Sequence, residues 1–83
     1  MNNFVELTET IVKKLVTDPE SVSVKEFESN EEDTILIEIM VSSNEMSKII
    51  GKNGNIINSI RTIVQASSYL KDNKKVKINV DSY

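Results

Sequence analysis

Apolar residues in this chain follow two periods in turn, helical near the start and alternating further on. Phe4, Leu7, Ile11 and Leu15 recur at helical spacing, with Val5, Val12 and Val16 on their flank and Glu6, Glu9, Lys13 and Lys14 turned away. This predicts an amphipathic helix over about Phe4–Val16. Asn3 can cap it, with Glu6 three residues later reaching back to the cap. Thr17-Asp18-Pro19-Glu20 ends it, because the residue before a proline is biased away from the α region. Ser21 to Glu28 reads as a strand with Val22 and Val24 on one face. Phe27 falls out of that register, which predicts a bulge or the end of pairing near Glu26. After a polar turn, Ser29-Asn30-Glu31-Glu32-Asp33, comes the strongest strand signal. Over Thr34–Val41, Ile35, Ile37, Ile39 and Val41 alternate with Leu36, Glu38, Met40 and Ser42. The first set is expected in the core. Leu36 and Met40 read as ordinary scattered surface residues, with a weak self-association patch as the alternative.

Ser42-Ser43-Asn44-Glu45 has the spacing of a capping box and predicts a short helix over Ser43–Ile50. A longer helix over Asn55–Leu70 is expected to bury Ile56, Ile57, Ile60, Ile63 and Val64 and to turn Arg61 towards solvent. Lys71-Asp72-Asn73-Lys74 makes a turn. The last strand, Lys75–Asp81, points Val76, Ile78 and Val80 inward and Lys75, Lys77 and Asn79 outward. The order α-β-β-α-α-β predicts one α+β domain over residues 1–83, a three-stranded mixed sheet with three helices packed on one face.

Composition removes several chemistries. With no cysteine and no histidine among 83 residues, disulfides, the usual zinc sites and the common nucleophile–base pairs are excluded. The adjacent acids of the Glu31-Glu32-Asp33 turn have no convergent partner and read as solvated. An enzyme is not expected, nor any cofactor or metal. No apolar run approaches the ~20 residues of a membrane span and no signal-peptide layout opens the chain, so a cytoplasmic protein is expected. Net charge is -3, but it is unevenly spread. Residues 1–43 hold ten acids and three bases, residues 44–83 three acids and seven bases. An anion therefore prefers the second half.

Both glycines of the chain lie in Ile49-Ile50-Gly51-Lys52-Asn53-Gly54, between the two later helices. Glycine accepts positive φ and allows close approach to the backbone. Just beyond the break, free N–H groups and the positive end of the next helix's dipole face outward, beside the charge of Lys52, an arrangement that holds phosphate. Spacing alone leaves a plain corner between helices equally open. A P-loop is absent: it needs glycine at Met46 and Ser or Thr at Asn53.

The flanking residues decide between these. Ile49-Ile50-Gly-x-x-Gly between two helices, inside α-β-β-α-α-β, resembles a KH domain of the bacterial, type II topology. With Leu15-Val16-Thr17-Asp18-Pro19-Glu20, Lys48-Ile49-Ile50-Gly51-Lys52-Asn53-Gly54 and Ile60-Arg61-Thr62-Ile63, the chain is similar throughout to the small KhpA family. The resemblance implies binding of single-stranded RNA by a loop that clamps about four nucleotides. Gly51, Lys52, Asn53 and Gly54 form the clamp on this reading. Lys48, Asn55 and Arg61 border it, and Ile49 supplies an apolar floor for bases. Asn55 departs from the family pattern, which commonly places a basic residue there. The resemblance further implies a homodimer, pairing with a larger Jag-like KH protein, KhpB, and post-transcriptional or RNA-chaperone activity linked to cell elongation and division. A module that chiefly binds protein, with little RNA binding of its own, is the second reading.

Overall fold

Strand β2 (Thr34–Val41) is the spine of the molecule in the computed structural model, which describes residues 4–83; the expected cap at Asn3 lies outside the described residues. On one side β2 pairs antiparallel with β1 (Ser23–Phe27), and on the other it pairs parallel with β3 (Lys75–Ser82). A parallel neighbour cannot be reached by a tight hairpin, so the chain between β2 and β3 crosses over through helices. These are α2 (Met46–Ile50) and α3 (Asn55–Lys71), joined on the same face by α1 (Phe4–Leu15). The alternation of β2 is fully realised: Ile35, Ile37, Ile39 and Val41 are all buried. Val24 and Ile78 extend that face, and Phe4, Val12, Ile49, Ile57, Ile60 and Val64 close on it from the helices.

Several expectations are corrected. The register of β1 runs unbroken to Phe27↔Leu36, where its pairing ends, so of the two expectations near Glu26 the end of pairing holds and the bulge does not. Phe27 belongs to the uncovered face, where it stands beside Leu36 and is 50% exposed. In α1 the fully buried positions are Phe4, Thr8 and Val12, one turn apart, while Leu7, Ile11 and Leu15 are half-buried. Thr8 tolerates this burial because its hydroxyl donates to Phe4 O at 2.7 Å. Ile63 is 49% exposed, because the buried face of α3 follows Ile57, Ile60, Val64 and Ser68 and leaves it to one side.

The capping box does not form. Ser42 Oγ donates to Asn44 Oδ1, and Glu45 turns away into the protein. Its Oε1 accepts from Lys48 Nζ at 2.9 Å and its Oε2 from the backbone N–H of Asp18 at 2.8 Å. Glu45 thus ties the turn after α1 to the start of α2. The Lys48 hydrogen bond foremost, then the Asp18 amide, hold this carboxyl below its ordinary 4.5, outweighing burial. A carboxylate with a depressed folded value adds stability above its unfolded value and loses it as pH falls through the folded one. The urea midpoint is therefore expected to decline below about pH 4.5, and Glu45→Gln to flatten that decline while lowering the midpoint at pH 7. An unchanged acid limb in the variant refutes the assignment.

At the β3 edge of the sheet, side chains of α3 meet backbone groups at the start of the strand. Gln65 accepts from Val76 N and donates to Lys74 O, both at 2.9 Å. Ser68 Oγ also donates to Lys74 O, and Arg61 Nε and Nη2 donate to Ile78 O at 3.2 and 3.0 Å. The first half of this edge strand is in this way engaged from within.

Candidate nucleic-acid interface

Helix α2 stops because Gly51 takes φ 75° and ψ 178°, while its N–H closes on Ser47 O at 3.0 Å. A single tight turn, Lys52 to Gly54, then leads into α3, with Asn53 at φ 57° and Gly54 at φ 76°. Asparagine is among the few side chains that accept the left-handed region, which fits it to the middle of the turn. Gly51 has a second reason to lack a side chain: a Cβ there would stand 2.6 Å from Ile56 Cγ1.

The backbone of the turn divides its donors. Gly51 N–H goes to Ser47 O, Gly54 N–H to Gly51 O and Asn55 N–H to Lys52 O. Among the described residues no acceptor meets the N–H of Lys52 or Asn53. The glycines shape the turn, and the two residues between them present the open amides. Lys52 is exposed and forms no ion pair among the described residues. Asn53 and Asn55 are exposed beside it. Together they offer an anion two backbone donors, one ammonium and the N-terminal end of a 17-residue helix.

Other expected contacts fall elsewhere. Ile49 is 0% exposed and belongs to the core, so it cannot be a floor for bases. The half-buried Ile50 and Ile56 are the apolar side chains the turn leaves accessible. Ile56, which sets the glycine requirement at position 51, was discernible only as one more member of the helical stripe. Lys48 stands one turn before the loop with its ammonium paired to Glu45. Arg61 is surface-exposed as expected, yet its guanidinium is engaged: besides Ile78 O, its Nη1 donates to Asn58 Oδ1 at 3.0 Å. Among the described residues no cluster of acidic side chains could hold a metal ion, and no helix is long and apolar enough to cross a membrane.

Comparison with known proteins agrees with this architecture. The family model described as KhpA/KhpB, KH domain, matches residues 5–80. The RNA-binding protein KhpA of Clostridium perfringens is 45% identical over 75 residues, covering 90% of this chain and 96% of that protein. Its namesake in Borreliella burgdorferi is 40% identical over 78 residues, covering 94% and 92%. Among solved structures, Era in complex with MgGDPNP and nucleotides 1506–1542 of 16S ribosomal RNA aligns with a TM-score of 0.72 at 23% identity. That alignment covers 96% of this chain and 30% of Era, and bears on the fold alone. With the α-β-β-α-α-β order, the mixed sheet and the two-glycine turn all in place, and a match running nearly end to end, the chain belongs to the KhpA/KhpB KH-domain family.

Proposed function

We propose that the protein binds single-stranded RNA, with the sugar–phosphate backbone held at the Gly51–Gly54 turn. The observation that carries this reading is the pair of open amides at Lys52 and Asn53 beside an unpaired ammonium, in a chain whose relatives are named RNA-binding proteins. Phosphate oxygens accept from those amides, and Lys52 adds the ionic contact. Bases lie against Ile50 and Ile56. No aromatic residue occurs between Met46 and Ser68, so the platform worth ~1–3 kcal/mol per base is lacking and affinity is modest with loose sequence preference.

Fluorescence anisotropy of a labelled single-stranded oligonucleotide, titrated across salt, tests this. With Lys52 as the ionic contact, the slope of log K against log salt is expected at about −0.7, the value for one phosphate on a single strand. No binding at 50 mM salt sinks the proposal.

A second reading concerns protein partners. The sheet face away from the helices is uncovered, and Phe27 and Leu36 adjoin on it. That patch supports self-association, or pairing with a larger Jag-like KH protein of the KhpB kind, within cytoplasmic post-transcriptional control. Sedimentation of the parent against Phe27→Glu separates the readings: a dimer lost in the variant with RNA binding retained assigns this face to protein.

A further inference from the structure

Asn58, one turn into α3, is not among the RNA contacts proposed above, yet its side-chain oxygen is already engaged. Arg61 Nη1 donates to Asn58 Oδ1 at 3.0 Å, and Arg61 is itself fixed by two hydrogen bonds to Ile78 O. A guanidinium can only donate, so the Asn58 atom that it meets is the oxygen, and the amide nitrogen is left with both of its hydrogens. That nitrogen, Nδ2, lies 3.6 Å from where a Cβ on Gly54 would stand. It therefore overlooks the second glycine of the turn, where the missing side chain lets another molecule approach. Among the described residues Nδ2 has no acceptor. The neighbouring hydroxyls are differently engaged: Ser59 Oγ donates to Asn55 O and Thr62 Oγ1 to Asn58 O, both within their own helix. Of the side chains on this side of the turn, Asn58 is the one whose donors are oriented and open.

We propose that Asn58 Nδ2 donates to an acceptor of the RNA strand where it passes Gly54, and that Arg61 is the positioning residue for this contact instead of a phosphate partner. The proposal rests on the RNA-binding reading of the turn and adds a neutral, directional donor to it. The acceptor is an oxygen or ring nitrogen of the strand, on its sugar–phosphate backbone or on a base edge.

Anisotropy with oligo(U), oligo(C) and oligo(A) tests it, with the urea midpoint of each variant as the folding control. Asn58→Ala is expected to weaken binding about 3- to 10-fold, the size of one neutral hydrogen bond, with the salt slope unchanged. Asn58→Asp keeps the acceptor for Arg61 but replaces the donors with a carboxylate, and is expected to weaken binding further. Arg61→Lys keeps the charge and loses the fork; it is expected to match Asn58→Ala and to add little in the Asn58→Ala background. A loss equal across the three oligonucleotides places the acceptor on the backbone, and an unequal loss places it on a base. Parent-like binding by folded Asn58→Ala, or losses from the two sites that multiply, overturns the proposal. If the parent itself fails to bind, it is the RNA reading of the turn that falls.

Discussion

Gly51→Ala is expected to lower the urea midpoint by about 2 M or more, with Gly54→Ala costing less than half as much. The difference comes from what surrounds each glycine. Gly51 sits at φ 75°, ψ 178°, a region held almost entirely by glycine and costing other residues about 1–3 kcal/mol. An added methyl there would also stand 2.6 Å from Ile56 Cγ1 and 2.9 Å from its Cβ and Cδ1. Ile56 is β-branched and stiff at χ1, so it cannot turn aside freely; overpacking of this kind adds about 1–3 kcal/mol. At about 0.05–0.15 kcal/mol per residue a domain this small has only about 4–12 kcal/mol in total, and an m-value near 1 kcal/mol/M converts the combined loss to the stated shift. Gly54 is left-handed at φ 76°, ψ 12°, and its added methyl meets Asn58 Nδ2 at 3.6 Å and Ile57 Cγ2 at 4.0 Å, which are ordinary contacts. The backbone cost of about 1–2 kcal/mol is all that remains. Trimming the obstacle in Gly51→Ala/Ile56→Ala should recover part of the lost stability relative to the sum of the single changes. Equal losses from the two glycine substitutions would show that Ile56 has no part in the requirement.

Lys52→Asp with Asn53→Asp is expected to reduce RNA affinity about 100-fold or more while leaving the circular dichroism and melting temperature close to those of the parent. Both side chains are exposed, and aspartate, like asparagine, accepts the left-handed conformation found at position 53. The pair changes the local charge by three units. At about 4 Å each unit is worth about 1 kcal/mol against a phosphate even at the dielectric of water, and about 3 kcal/mol corresponds to about 100-fold in Kd. The new carboxylates also compete for the amides of Lys52 and Asn53. Binding within twofold of the parent by the folded double variant would remove the turn from the interface.

Much of this architecture is legible in the chain itself. The period-two run of β2 and the helical spacing of α3 give the element order directly, and two glycines three apart mark the turn. The unread parts involve polar side chains whose partners are distant in sequence. Glu45 has the spacing of a capping residue, yet it serves Asp18, 27 residues earlier. Thr8 and Ser68 are fully buried although polar, because each hydroxyl finds a carbonyl. Pattern reading treats such residues as surface. Ile49 differs for a related reason: adjacency to Gly51 suggests access to a ligand, but its place on α2 turns it under the helix, and the half-buried Ile50 and Ile56 are the side chains left accessible. Arg61 showed a charge in the sequence; only the fold reveals how much of its guanidinium is already engaged.

The side chains laid along β3 also bear on how copies of this protein tolerate crowding. Gln65 pairs with Val76 and Lys74 much as a passing peptide unit would, so the last strand already has a companion belonging to the same molecule. A second chain seeking to extend the sheet along the start of β3 must first evict that companion and leave its amide unsatisfied. Where copies are crowded, this disfavours sheet extension along the start of β3, and resistance to it rests in part on one glutamine's hydrogen bonds.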